Sequence, residues 1–152
     1  MRFVRGGELF TILRDEAKIS EQRARLYTYN IALAMGYLHK KKIVYRDLKP
    51  ENVLVDEKGY LVLTDFGLAK ILEKDEATDT FCGTPEYMAP EIQNDVDGYG
   101  FEVDWWSLGI LCYEMIVGFA PFYAKKNQHP DEVFRIIREK KIVFPDPIRH
   151  GI

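Results

Sequence analysis

The stretch "VDWWSLGILCYEMIVGF", Val103 to Phe119, is the most apolar run in the chain and leaves the fewest ways to fold it. It carries Asp104 and Glu114 inside and falls short of the roughly 20 apolar residues that a bilayer span requires. It therefore reads as a helix buried on nearly all faces rather than as a membrane segment. Such a helix needs neighbours on every side. One is written from Ser20, a hydroxyl suited to an N-cap, to about Lys41, where Ala24, Leu26, Ile31, Ala34, Met35 and Leu38 leave little polar face. Together the two predict a helical core, and at 152 residues the chain has the size of one ordinary domain.

Between these helices lie two short apolar runs, "NVLV" ending at Val55 and "YLVLT" ending at Thr64, joined by "DEKG". Asp56 and Gly59 supply turn chemistry, which predicts a β-hairpin. Shorter helices are expected near Glu8 to Arg14 and over Asp131 to Lys140, the latter with Val133, Phe134, Ile136 and Ile137 on a broad apolar stripe. "DVDGYG" before Val103 reads as a loop, and no internal repeat or low-complexity tract is present. The fold class is mainly α with a small β-hairpin.

Charge and cysteine content narrow the function classes. Lys plus Arg number 21 against 24 Asp plus Glu, a formal charge of -3, so no broad basic face points to nucleic acid or an anionic membrane. An acidic groove for basic substrates stays open. Cys82 and Cys112 are too few for a disulfide framework and have no metal-ligand spacing, which sets a reducing, intracellular expectation. The start, "MRFVRGGELF", does not read as a signal peptide, so a cytoplasmic location is expected, with the nucleus as the other possibility. His39, His129 and His150 are far apart and are expected to be structural or solvated.

The segment "VYRDLKPENVLV", residues 44 to 55, sets Arg46, Asp47, Lys49 and Glu51 between apolar runs. Charges at the edge of a hairpin, where the backbone is fixed but ligands can reach, suit the placing of a reacting hydroxyl and a metal-bound phosphate. "YRDLKPEN" (45 to 52), "DFG" (65 to 67) and "APE" (89 to 91) occur in the order and approximate spacing of the protein-kinase signature, with Tyr45 in place of the commoner histidine. With "TFCGTPEYMAPE", the chain resembles the AGC group of eukaryotic serine/threonine kinases, the relatives of protein kinases A, B and C. The resemblance implies a kinase-like C-lobe of α+β type over 1–152 as one partial domain. It also implies that the N-lobe is absent, since neither its glycine-rich loop nor its strand lysine is found, and Met1 to Val4 line up with the hinge. Little or no activity is then expected of these 152 residues alone. A naturally short, non-catalytic module that competes for substrates is the alternative.

Carried over residue by residue, the resemblance makes Asp47 the carboxylate that takes or orients the proton of the substrate hydroxyl, Lys49 the cation beside the γ-phosphate, and Asn52 and Asp65 the Mg2+ ligands. Val4, Glu8, Glu51, Leu54, Thr64 and Asp65 fall at positions around ATP, with Leu54 beneath adenine, and Tyr45 and Phe66 at packing positions between lobes. Asp104 matches a buried carboxylate that hydrogen-bonds the catalytic-loop backbone. Thr80 matches an activation-loop phosphorylation site for an upstream kinase, with Arg46 and Lys70 as its partners. Thr84 matches the residue bridging Asp47 and Lys49. Glu8, Glu51 and Glu114 match acidic positions that face arginines upstream of the acceptor, which implies protein substrates with upstream Arg or Lys. Glu91 is expected to lack its usual arginine partner.

Overall fold

The computed structural model describes residues 6–73, 77–93, 98–123 and 130–145. Helix α1 (Leu9–Glu16) is followed by α2 (Glu21–Lys40), which starts where the sequence places it: Ser20 Oγ accepts from the Arg23 N–H at 3.3 Å. Ala24, Tyr27, Ile31 and Met35, spaced along one face, are buried. The predicted hairpin is β2 (Val53–Val55) against β3 (Leu61–Leu63), registered Val53 to Leu63 and Val55 to Leu61. Its turn is closed by Asp56, whose side chain accepts from the N–H groups of Lys58 and Tyr60, both at 2.8 Å.

A second ladder was not legible in the sequence. Strands β1 (Ile43–Val44) and β4 (Lys70–Ile71) pair antiparallel, Ile43 with Ile71 and Val44 with Lys70. Two residues per strand are too few to show a period of two. Residues 45–52 therefore leave β1 and enter β2, while 64–69 leave β3 and enter β4, so two loops lie side by side between the ladders. The short 3₁₀ turns Pro50–Asn52, Pro85–Tyr87 and Pro90–Gln93 follow, each opened by a proline that needs no N–H partner.

Helix α3 (Glu102–Val117) crosses the core against α2 and buries Val103, Asp104, Ser107, Leu108, Ile110, Leu111, Tyr113 and Met115. Helix α4 (Pro130–Glu139) packs Val133, Phe134, Ile136 and Ile137 onto the two later 3₁₀ turns. The expected burial of α3 holds on most of its faces, whereas that of α2 holds on one side only. Leu26 is 47% exposed, and Tyr29, Leu33 and Tyr37 are exposed along the same outer region of α2. Trp105 and Gly109 are exposed on α3, and an open groove of about 730 Å3 runs between Leu26, Tyr29, Ala32, Cys112 and Ile116. Among the described residues no helix is long and apolar enough to cross a membrane.

One polar contact ties α3 to the loop after β1. Asp104 is fully buried; its Oδ2 accepts from the Tyr45 N–H at 2.9 Å and its Oδ1 from the Arg46 N–H at 2.8 Å. His39 Nε2, from the end of α2, stands 2.7 Å from Oδ2. Hydrogen bonds to a buried charge contribute more than neutral ones, and an amide in its place would turn a donor toward a donor. Asp104→Asn is expected to lower the unfolding free energy by about 3 kcal/mol, read as a fall in the denaturant midpoint with an unchanged slope.

Candidate active site

The loop held by Asp104 carries Asp47, which is 9% exposed and has three side-chain partners. Lys49 Nζ lies 3.0 Å from Asp47 Oδ2, and Asn52 Nδ2 donates to the same oxygen at 2.8 Å and to the Asp47 carbonyl at 2.8 Å. Thr84 Oγ1 donates to Asp47 Oδ1 at 3.0 Å and accepts from Lys49 Nζ at 3.0 Å. Thr84 arrives from a segment 37 residues further along the chain. Gly83 permits that approach: its φ is 120°, and a Cβ there would stand 3.0 Å from the Arg46 carbonyl oxygen. The structure thus brings together Asp47, Lys49, Asn52 and Thr84, with Thr84 between Asp47 and Lys49, the position the resemblance implies for it.

Asp65 lies on the neighbouring loop. The Thr64 N–H donates to the Asn52 carbonyl at 3.0 Å, which sets Asp65 one residue from the Asn52 strand end. Asp65 is exposed, adopts φ 52°, and accepts from the Gly67 N–H at 3.0 Å. Asn52 spends its amide nitrogen on Asp47, so its amide oxygen is the atom turned away. An amide oxygen and a carboxylate are hard donors, and two of them suit Mg2+, which keeps waters and phosphate oxygens for its other positions. Among the described residues no group of three or more His, Cys, Asp or Glu side chains forms a metal cage.

Tyr45 and Phe66 pack edge to face with centroids 5.3 Å apart. The Tyr45 hydroxyl donates to the Thr64 carbonyl. Burial first, then the fields of Asp47, Asp65 and Asp104, push its phenol well above the usual range, so it stays a neutral donor. Leu54 is half-buried on β2 and bridges through its backbone to Glu8, which is exposed ahead of α1. Glu51 is exposed on the first 3₁₀ turn, Thr64 is half-buried, and Val4 lies outside the described residues.

Around exposed Thr80, Arg46 Nε donates to the Leu68 carbonyl at 2.7 Å and its Nη1 to the Tyr99 hydroxyl at 3.3 Å. Lys70 Nζ reaches Thr78 Oγ1 at 3.3 Å, and that hydroxyl reaches Thr80 Oγ1 at 3.3 Å. Arg46 and Lys70 therefore both lead toward Thr80. Tyr99 was missed, because an aromatic between two glycines in a loop carries no pattern of its own.

Of the three expected acidic positions, the structure draws Glu51 and Glu114 into one field and leaves Glu8 on the β2 edge. Glu114 accepts from the hydroxyl of Tyr87, itself anchored by Ser107 Oγ donating to its carbonyl at 2.8 Å. Glu86, which the sequence reading did not single out, joins them. Burial pushes the Glu114 carboxyl up, the Tyr87 hydroxyl pulls it back, and the charges of Glu51 and Glu86 push it up again. Glu91 has no hydrogen-bond or ion-pair partner among the described residues. His39 is structural, through Asp104, and the other two histidines lie outside the described residues.

The site is thus a buried carboxylate bridged to a lysine and a threonine, beside a hairpin that carries Asn52 and a second carboxylate at its ends. The protein kinase domain model matches residues 1–149, and the chain belongs to the protein kinase family. It is 53% identical over 148 residues to the serine/threonine-protein kinase sgk-1 of Caenorhabditis elegans, covering 97% of this chain and 30% of that protein. It is 50% identical over 145 residues to the cAMP-dependent protein kinase catalytic subunit PRKX of Mus musculus, covering 95% and 39% respectively. Protein kinase 2 of Dictyostelium discoideum is 55% identical over 123 residues, 81% of this chain and 26% of that protein. The relatives are AGC-type serine/threonine kinases, and this chain spans well under half the length of each.

The raised Glu114 carboxyl has a signed consequence for stability. A carboxyl whose folded pKa lies above its unfolded value binds its proton more tightly in the folded state. Its contribution is therefore present below the ordinary Glu range, about 4.3, and is lost as pH rises through the raised value. Compared with Glu114→Gln, which does not titrate, the native chain is expected to lose unfolding free energy as pH climbs from about 4. Paired denaturant titrations across pH check this; a constant difference would contradict it.

Proposed function

We propose that these residues form the catalytic and peptide-binding part of an ATP- and Mg2+-dependent serine/threonine kinase, which transfers the γ-phosphate to Ser or Thr hydroxyls preceded by arginine. The observation that carries this reading is Asp47, buried at its base yet held by Lys49, Thr84 and Asn52 in one orientation. A carboxylate with its rotamer fixed by three partners is preorganised to accept one proton from one direction. As the substrate oxygen bonds to the γ-phosphorus and ADP leaves, the hydroxyl proton passes to Asp47. Lys49 supplies positive charge where the phosphoryl oxygens gain negative charge. Asn52 and Asp65 would hold Mg2+, which supplies charge neutralisation of the phosphates when bound.

Substrate choice follows from the acidic group. Guanidinium pairs with carboxylate through two parallel hydrogen bonds, so Glu51 and Glu114, with Glu86 beside them and Glu8 on the flank, favour Arg over Lys. Regulation rests on Thr80: a phosphate placed there by an upstream kinase would add about -1.5 to -2 of charge opposite Arg46 and Lys70.

In the complete polypeptide that carries this sequence, Asp47→Asn is expected to lower phosphate transfer from ATP by about 10²–10⁴-fold while leaving the unfolding midpoint close to native. Transfer to a Ser peptide at undiminished rate would overturn the assignment. A degenerate peptide library on the same polypeptide is expected to select Arg upstream of the acceptor, and a profile flat at those positions would overturn the substrate reading.

A further inference from the structure

Tyr99 belongs to no helix or strand, yet it is 3% exposed. Its backbone N–H and carbonyl pair with the carbonyl and N–H of Thr78, both at 2.9 Å, which joins the chain ahead of α3 to the stretch leading into Thr80. Gly98 makes this approach possible. Its φ is 66°, and a Cβ there would stand 2.9 Å from the Ala77 Cβ and 3.2 Å from the Thr78 carbonyl oxygen. With the backbone so placed, the Tyr99 hydroxyl donates to the Thr80 carbonyl at 2.5 Å and accepts from Arg46 Nη1 at 3.3 Å. Cys82 Sγ lies 3.7 Å from the same oxygen.

Burial pushes the Tyr99 phenol up to about 12, against the opposing pull of Arg46. It is therefore a neutral hydroxyl near pH 7, able to donate to a carbonyl and accept from a guanidinium at once. Lys70 reaches Thr80 through the hydroxyl of Thr78 on the other side. Each cation is thus one hydroxyl away from the threonine that would carry the phosphate.

We propose that Tyr99 is a positioning residue for phosphorylated Thr80: its hydroxyl holds the Thr80 backbone and the Arg46 guanidinium in one geometry before any phosphate arrives. This rests on the reading of Thr80 as a regulatory phosphosite. A phosphate then meets a cation whose side-chain freedom is already spent, and more of the pairing energy goes into ordering the segment. That segment also delivers Thr84 to Asp47, so the hydroxyl links phosphorylation to the orientation of the proton acceptor without touching substrate.

The test uses the complete polypeptide, prepared with Thr80 unmodified or fully phosphorylated as verified by intact mass. Activity on a Ser peptide is measured for both forms, with the rate at which a phosphatase removes the phosphate. Tyr99→Phe is expected to lower the stimulation ratio about tenfold, the loss of one hydrogen bond to a charged group, and to speed phosphate removal. Gly98→Ala, which keeps the hydroxyl but displaces it through the backbone, is expected to lower the ratio in the same direction. A native ratio and native phosphatase resistance in Tyr99→Phe would overturn the inference. So would a parallel loss of activity in both forms with a lowered thermal midpoint, the signature of a merely structural residue. If the native chain shows no stimulation by phosphate on Thr80, the phosphosite reading itself fails, and this inference with it.

Discussion

The buried carboxylate of Asp104 is the contact on which the site's geometry depends. It sits in the first turn of α3, inside the core, and accepts hydrogen bonds from two successive N–H groups of the loop that carries Asp47. An ionised group with no exposure is tolerated only when its hydrogen-bonding capacity is filled, and His39 supplies a third partner. The contact also fixes Arg46 at φ 69°, a conformation a non-glycine residue holds only when its surroundings enforce it. Helix and loop are therefore positioned by one another: α3 cannot shift along its axis without carrying Asp47 with it.

From that anchor the site is assembled out of segments distant in sequence. The hairpin supplies Asn52 and presents Asp65 beside it, and the segment after β4 brings Thr84 across the loop through a glycine that no larger residue could replace without displacing the Arg46 carbonyl. The buried hydroxyls follow one pattern. Tyr45, Tyr87 and Tyr99 each place a ring in apolar surroundings and turn an oxygen onto a partner in another segment: the Thr64 carbonyl, the Glu114 carboxylate and the Thr80 carbonyl. Burial raises all three phenols, so they act as neutral donors. Two of them connect loops to one another, and Tyr87 ties its 3₁₀ turn to α3.

The uncovered faces of α2 and α3 show how periodicity can be right about residue type and wrong about environment. Leu26 and Ile31 are equally apolar, but α2 turns about 100° per residue and only one face meets α3. Leu26, Tyr29, Leu33 and Tyr37 are exposed, and Leu26 and Tyr29 line the open groove beside Cys112 and Ile116 of α3. At roughly 25 cal/mol per Å2 of apolar surface, those side chains contribute less to stability here than their composition suggests.

What the sequence by itself determined is local: the Ser20 cap, the extents of α2 and α3, and the Asp56 turn with its hairpin. These depend on spacing within a few residues, which is written linearly. The two-residue ladder of β1 and β4, the convergence of Glu86 with Glu51 and Glu114, the pairing of His39 with Asp104, and the seat of Tyr99 beside Thr80 were decided by tertiary structure. Each joins groups separated by many residues, through single contacts that impose no period on the chain. A buried polar side chain reads in sequence like a solvated one, and only its neighbours in space say which it is.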